Sequence, residues 1–233
     1  GRILYDRVLA AARRLPDVEH AAIVNVLPGA TSPRSEEAPI VLLTEDSQRA
    51  LIRSRPRHAN AGLIAGTPGV FDTLGVRVTR GRSVQASDVD GAPHVAVLRA
   101  HAAAALWPDA DPIGRSLQIG SSREPGVTGV GLGDDPVSGA HGSRVDDTSE
   151  DRAARRPSNV IFVPLAQRYS ARTLVLLRSD RPAAQIDALR ALVRDVDPSA
   201  SLFGAATAEQ RLDTFGAYRA VSTLATSLGV SAL

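Results

Sequence analysis

Residues 66–120, GTPGVFDTLGVRVTRGRSVQASDVDGAPHVAVLRAHAAAALWPDADPIGRSLQIG, carry most of the chain's punctuation, and their reading decides the architecture. Pro68 and the residues after it suit a short helix whose start is fixed by proline. Gly75 ends it, because a residue without Cβ can take the left-handed cap. Val76 and Val78 then alternate with polar residues until Gly81-Arg82. His94 to Leu98 reads as a buried strand, and Ala100 to Trp107 as an alanine-rich helix broken by Pro108. Asp111-Pro112-Ile113-Gly114 is a turn in which proline presets φ and glycine takes the conformation others avoid. Ser116 to Ile119 alternates as a strand. Nothing here sets a nucleophile beside a base, so the stretch reads as architecture.

Upstream, Ile3, Leu4, Val8, Leu9, Ala12 and Leu15 recur at helical spacing, and Pro16 stops that helix. Val18 to Leu27 is an apolar strand, a polar loop follows from Pro28 to Glu37, and Ile40 to Leu43 is a second strand. Leu63 to Ala65 is a third. Downstream, Val127 to Leu132 and Asn159 to Pro164 are strands, separated by the polar, aperiodic run Gly133 to Pro157, which we expect to be a mobile loop. Arg172 to Arg178 is a further strand. A helix begun at Ser179-Asp180 places Ile186, Leu189, Leu192, Val193 and Val196 along one stripe. Asp197-Pro198 ends it, before a short strand Ser201 to Gly204. Helix and strand at the front mirror strand-helix-strand at the back. The expected class is therefore α+β. Split βαβ pieces from both ends form one helix-backed subdomain, residues 1–81 and 158–212, and a small β-rich subdomain, 82–157, is inserted between them.

The 233 residues suffice for one large domain or two small ones. Aromatic residues make up only 3%, so the core must be built from Ala, Val, Leu and Ile. Net charge is +2, and the pI near 9.6 arises because all 27 basic residues are arginine. Those arginines are scattered, with few aromatics among them, which argues against a nucleic-acid partner. With no cysteine there is neither a disulfide framework nor a thiolate metal site. The chain also lacks methionine and begins in a helix, so we expect an excerpt of a longer protein. Ala220 to Leu233 carries no charge and is shorter than the ~20 residues that span a bilayer. We expect residues 213–233 to be the start of a truncated transmembrane helix, with Arg219 at the interface. The plainer alternative is a C-terminal core helix.

Gly129-Val130-Gly131-Leu132-Gly133 imitates a phosphate loop, but it runs into Asp134-Asp135-Pro136, which repels phosphate. A strand end is the better reading. The histidines (His20, His58, His94, His101, His141) form no HExxH. His141, Ser143, Asp146 and Asp147 share one loop that lacks the separate rigid elements a catalytic triad needs. Asp146 to Asp151 lacks the calcium-loop pattern. Trp107 reads as a core anchor. We therefore assign no catalytic, cofactor-binding or metal-ligating residue.

Taken in order, Gly69-Val70-Phe71-Asp72-Thr73-Leu74-Gly75, Gly81-Arg82, Asp88, Val95-Ala96-Val97 and Trp107-Pro108 form a pattern. It continues through Asp111-Pro112-Ile113-Gly114-Arg115, Leu117 to Gly120, Val127 to Val130, Ile161 to Pro164, Gln167, Leu174 to Arg178 and Asp197-Pro198. Over nearly the whole chain it resembles the MacB-like extracytoplasmic (periplasmic core) domain of FtsX-type ABC transporter permeases. Two departures are a longer, more charged loop at Gly133 to Pro157 and Val70 where the family often has tyrosine. The resemblance implies a porter-like subdomain with an inserted β-rich one, lying outside the cell membrane between two transmembrane helices. It implies no enzymatic activity and no cofactor in this domain. The implied partners are a separate ATP-binding subunit or domain, a second permease copy or sibling, and an extracytoplasmic adaptor. The domain would pass ATP-driven motion to an exported substrate or partner protein. Asp146, Asp147, Arg155 and Arg156 are the candidate partner contacts. The alternatives are a free-standing α+β binding module, or a hydrolase built on His94 or His141.

Overall fold

The computed structural model describes residues 2–26, 37–43, 58–120, 125–134, 159–198, 201–207 and 223–229. The candidate contacts Asp146, Asp147, Arg155 and Arg156, together with His141 and Ser143, lie outside these residues. Four α-helices are described: α1 (Arg2–Ala12), α2 (Val70–Leu74), α3 (Ala100–Leu106) and α4 (Gln185–Val196). Eleven strands form one sheet: β1 (Val18–Val24), β2 (Glu37–Leu43), β3 (His58–Gly66), β4 (Val78–Gly81), β5 (Val95–Arg99), β6 (Ser116–Ile119), β7 (Val127–Gly133), β8 (Val160–Pro164), β9 (Arg172–Ser179), β10 (Ser201–Thr207) and β11 (Thr223–Gly229). The class is α+β, as expected.

The sheet has two parts. In the first, β10-β11-β9-β1, every adjacent pair is antiparallel, and strands from both ends of the chain meet. Alternate side chains of β1 and β9 are buried on opposite faces. Ala21, Ile23, Val175 and Leu177 pack toward the apolar stripes of α1 and α4, whereas Ala22, Val24 and Leu176 pack toward Val70 and Phe71 of α2. Covering both faces explains why these strands read as continuous apolar runs. In the second part, β3 pairs with β2, β2 with β6, β6 with β7, β7 with β5, and β5 with β8; a parallel β8–β3 pairing closes the circle. β4 adds to the far end of β7.

The glycines of β7 have a steric reason. Residues 127, 129, 131 and 133 are buried, and a Cβ on Gly129 would stand 2.6 Å from the Pro112 carbonyl oxygen. On Gly131 it would stand 2.1 Å from that of Arg82. The run is thus strand, and its glycines let two loops cross at backbone contact. The predicted turn forms too: Gly114 has φ 79°, and the Ile113 N–H donates to Asp111 Oδ1 at 3.1 Å.

Two expectations need correction. Pro68 is not the first helical residue of α2; Gly69, with φ 90°, is the N-cap and Gly75, with φ 68°, the C-cap. The end of the chain differs more. Thr223–Gly229, expected in a helix, forms β11 between β9 and β10. A short uncharged stretch containing Thr223 and Thr226 has no strong helical preference of its own. The main-chain groups of β9 and β10 supply it with a full set of ladder partners.

Candidate functional site

Gly81-Arg82, Asp88 and, more than seventy residues further on, Gln167 prove to build one loop, residues 82–94. Arg82 grips Asp88 with two parallel bonds, Nη1 to Oδ2 and Nη2 to Oδ1, both 2.8 Å. The Gln85 N–H donates to Asp88 Oδ2 at 2.8 Å, turning the chain back on itself. Gln167, in the turn after β8, closes the other end. Its Oε1 accepts the Val95 N–H at 3.1 Å, and its Nε2 donates to the carbonyls of Pro93 at 3.0 Å and Val89 at 3.3 Å. The loop is therefore pinned from both sides, with Val89 exposed beside the clamp. Tyr169, two residues past Gln167, is also exposed and stacks on buried Tyr5 at 6.0 Å. The Tyr5 hydroxyl donates to the carbonyls of Ser170 and Ala171 at 2.9 and 3.1 Å, tying α1 to the same turn.

Burial by itself would raise the Asp88 carboxyl. The Arg82 hydrogen bonds, the Gln85 amide and the Arg82 charge outweigh it and hold that carboxyl below its ordinary range. The pair's contribution is thus present above the unfolded-state carboxylate pKa and is lost as pH falls through the lower folded value. The Asp88 side chain is only 6% exposed against 34% for Arg82, so the arginine keeps some water when its partner goes. Asp88→Ala is expected to cost about 2–3 kcal/mol at neutral pH, less than a fully buried broken pair. The cost should shrink in acid below the carboxylate range, as urea titrations at pH 7 and pH 3 would show.

A groove of about 510 Å³ opens between the two parts of the sheet, lined by His20, Asp72, Arg77, Ser83 and Arg178 among others. It is not assembled for hydrolysis. The Ser83 hydroxyl lies 3.5 Å from the Val84 carbonyl rather than on an imidazole. Arg178 Nη1 donates to the Asp72 carbonyl at 3.2 Å, and Arg77 pairs with Asp134 at 3.4 Å. His94, half-buried, precedes β5 and lends its carbonyl to the Thr128 N–H at 2.9 Å. No cluster of three or more His, Asp or Glu fit for a metal occurs among the described residues. What these side chains do is hold loops against strands. In sequence, Arg82, Asp88 and Gln167 showed only as parts of a family pattern. No local periodicity marks an ion pair across six residues or an amide that bonds to a loop some seventy residues away.

Comparison with known proteins accounts for that pattern. The family described as MacB-like periplasmic core domain matches residues 4–196. The chain belongs to this family. MacB-like periplasmic core domains are extracytoplasmic domains of ABC transporter permeases, and the family is not an enzyme class. Among solved structures, the periplasmic region of MacB from Actinobacillus actinomycetemcomitans is similar, at 14% identity and a TM-score of 0.52. That likeness covers 81% of this chain and 72% of that one, and it concerns the fold. The extracellular domain of the noncanonic ABC-type transporter YknZ from Gram-positive bacteria aligns over 94% of this chain and 87% of its own, at 11% identity and a TM-score of 0.48. No curated protein sequence matches. Among the described residues, no helix of this MacB-like domain is long and apolar enough to cross a membrane.

Proposed function

We propose that this MacB-like domain stands outside the cell membrane between two transmembrane helices of its permease. There it transmits motion driven by a separate ATP-binding subunit or domain to an exported substrate or partner protein. The family match over residues 4–196 carries this reading. The loop built by Arg82, Asp88 and Gln167 supports it, because residues characteristic of the family pattern are used to stiffen a surface rather than to assemble chemistry. A second permease copy or sibling and an extracytoplasmic adaptor are the proposed partners, with the candidate contacts Asp146, Asp147, Arg155 and Arg156. Within the domain we propose a porter-like subdomain, 1–81 and 158–212, and an inserted unit, 82–157, whose β5, β6 and β7 join β2, β3 and β8 of the first in the ring. To test the reading, a cysteine is placed at exposed Ala104 of the whole permease, and intact cells are treated with a membrane-impermeant maleimide. Labelling before lysis is expected; labelling only after lysis overturns the proposal.

One observation favours a second reading, a free-standing module of the same fold: Thr223–Gly229 pairs into the sheet. Under that reading the whole protein is released from membranes by an alkaline carbonate wash; under the permease reading it stays in the membrane fraction.

A further inference from the structure

The two parts of the sheet touch through a very short ladder. β1 and β3 are aligned at one residue pair, Val24 opposite Gly66. Main-chain bonds flank that pair: the Asn25 N–H donates to the Ala65 carbonyl at 3.0 Å, and the Thr67 N–H to that of Ile23 at 2.9 Å. So brief a ladder leaves the two parts to be held by side-chain packing, as at Phe71, and by whatever lengthens the ladder. Two side chains extend it. Thr67 Oγ1 accepts the Ile23 N–H at 2.9 Å, and Asn25 Oδ1 accepts the Ala65 N–H at 2.7 Å. Each oxygen stands where a longer partner strand would present a carbonyl. Ile23 and Ala65 have no exposed surface, so their amides have no water to turn to when that oxygen is removed. The grip reaches a third strand, since the Leu165 N–H after β8 donates to the Gly66 carbonyl at 2.8 Å.

We infer that Asn25 and Thr67 are positioning residues that lock the four-stranded part to the strand ring, so that a displacement entering through α1 moves the ring as one body. The lock follows from the geometry alone; its use in relaying motion rests on the permease reading. α1 packs on β1, upstream of the lock, and the pinned loop 82–94 belongs to the ring side, downstream of it. A slack joint here would leave the displacement to side-chain packing and to the Tyr5 tether between α1 and the turn after β8.

The chain has no cysteine, so two can be introduced without background. Arg190→Cys on α4 and Asp109→Cys after α3, both at exposed positions, carry spin labels for pulsed distance measurement. The unaltered seam is expected to give one narrow distance distribution. With Asn25→Ala and Thr67→Val together, its width should at least double, while Ile23 and Ala65 amide exchange accelerates about fivefold or more. Thr67→Ser keeps the accepting oxygen and should restore the narrow distribution in an otherwise native seam. If the double variant does not fold, the near-isosteric Thr67→Val alone takes its place in the same measurement. A width unchanged despite faster exchange overturns the lock and leaves the permease reading standing. Failure of surface labelling at Ala104 does the reverse.

Discussion

Phe71→Ala is expected to lower the free energy of unfolding by about 3–5 kcal/mol, the range for emptying a buried phenylalanine site. Phe71 is 2% exposed and sits on a helix of only five residues. A helix that short is not stable through its own hydrogen bonds, so side-chain packing must hold it in place. Phe71 supplies much of that packing. Its ring meets Phe162 of β8 at 4.7 Å and a 52° tilt, and the same cluster includes Val24 of β1 and Leu176 of β9. The ring therefore fills the space where the two parts of the sheet come together, and alanine would leave a cavity there that neither can collapse into without shifting the other. Urea unfolding followed by circular dichroism measures the change. A loss below about 1 kcal/mol would mean that the site repacks and that α2 is not the wedge described here.

Gly131→Ala should cost about 3 kcal/mol or more, at the upper end for forcing extra atoms into a packed site. For a domain of this size that lowers the melting temperature by about 6–12 °C. The obstacle is main chain: the new Cβ would lie 2.1 Å from the Arg82 oxygen and 3.0 Å from the Arg82 carbonyl carbon. Backbone cannot swing aside as a side chain can. Relief requires Arg82 to lift off β7, breaking its N–H bond to the Val130 carbonyl at 3.0 Å and disturbing the grip on Asp88. Gly114→Ala is the control. A Cβ there meets nothing within 4 Å, and only the left-handed backbone at φ 79° opposes it. Its expected cost is about 1 kcal/mol. Equal melting temperatures for the two variants would contradict the contact geometry.

What was legible in the sequence is what neighbouring residues decide among themselves. The stripe from Ile186 to Val196 announced α4, proline and glycine marked the turn at 111–114, and Ser116 to Ile119 alternated as the strand it is. The glycines from Gly129 to Gly133 read as strand and form one, yet their reason lies in Arg82 and Pro112, which only the folded chain brings near. Pairings between distant segments stayed hidden. Nothing local in Leu63 to Ala65 says that it runs parallel to Ile161 to Val163. The tail misled for a related cause. An uncharged run such as Ala220 to Leu233 suits several environments, and tertiary partners chose strand for Thr223–Gly229. The pinned loop was visible only as recurring letters, because a carboxylate held by an arginine and an amide reaching across the fold leave no periodic trace.

The circular pairing of β3, β2, β6, β7, β5 and β8 has a colloidal consequence. A strand with a neighbour on each flank offers no free row of amides and carbonyls for another polypeptide to zip onto. Copies of this domain crowded on one surface can therefore press these strands against one another without templating a shared β-aggregate.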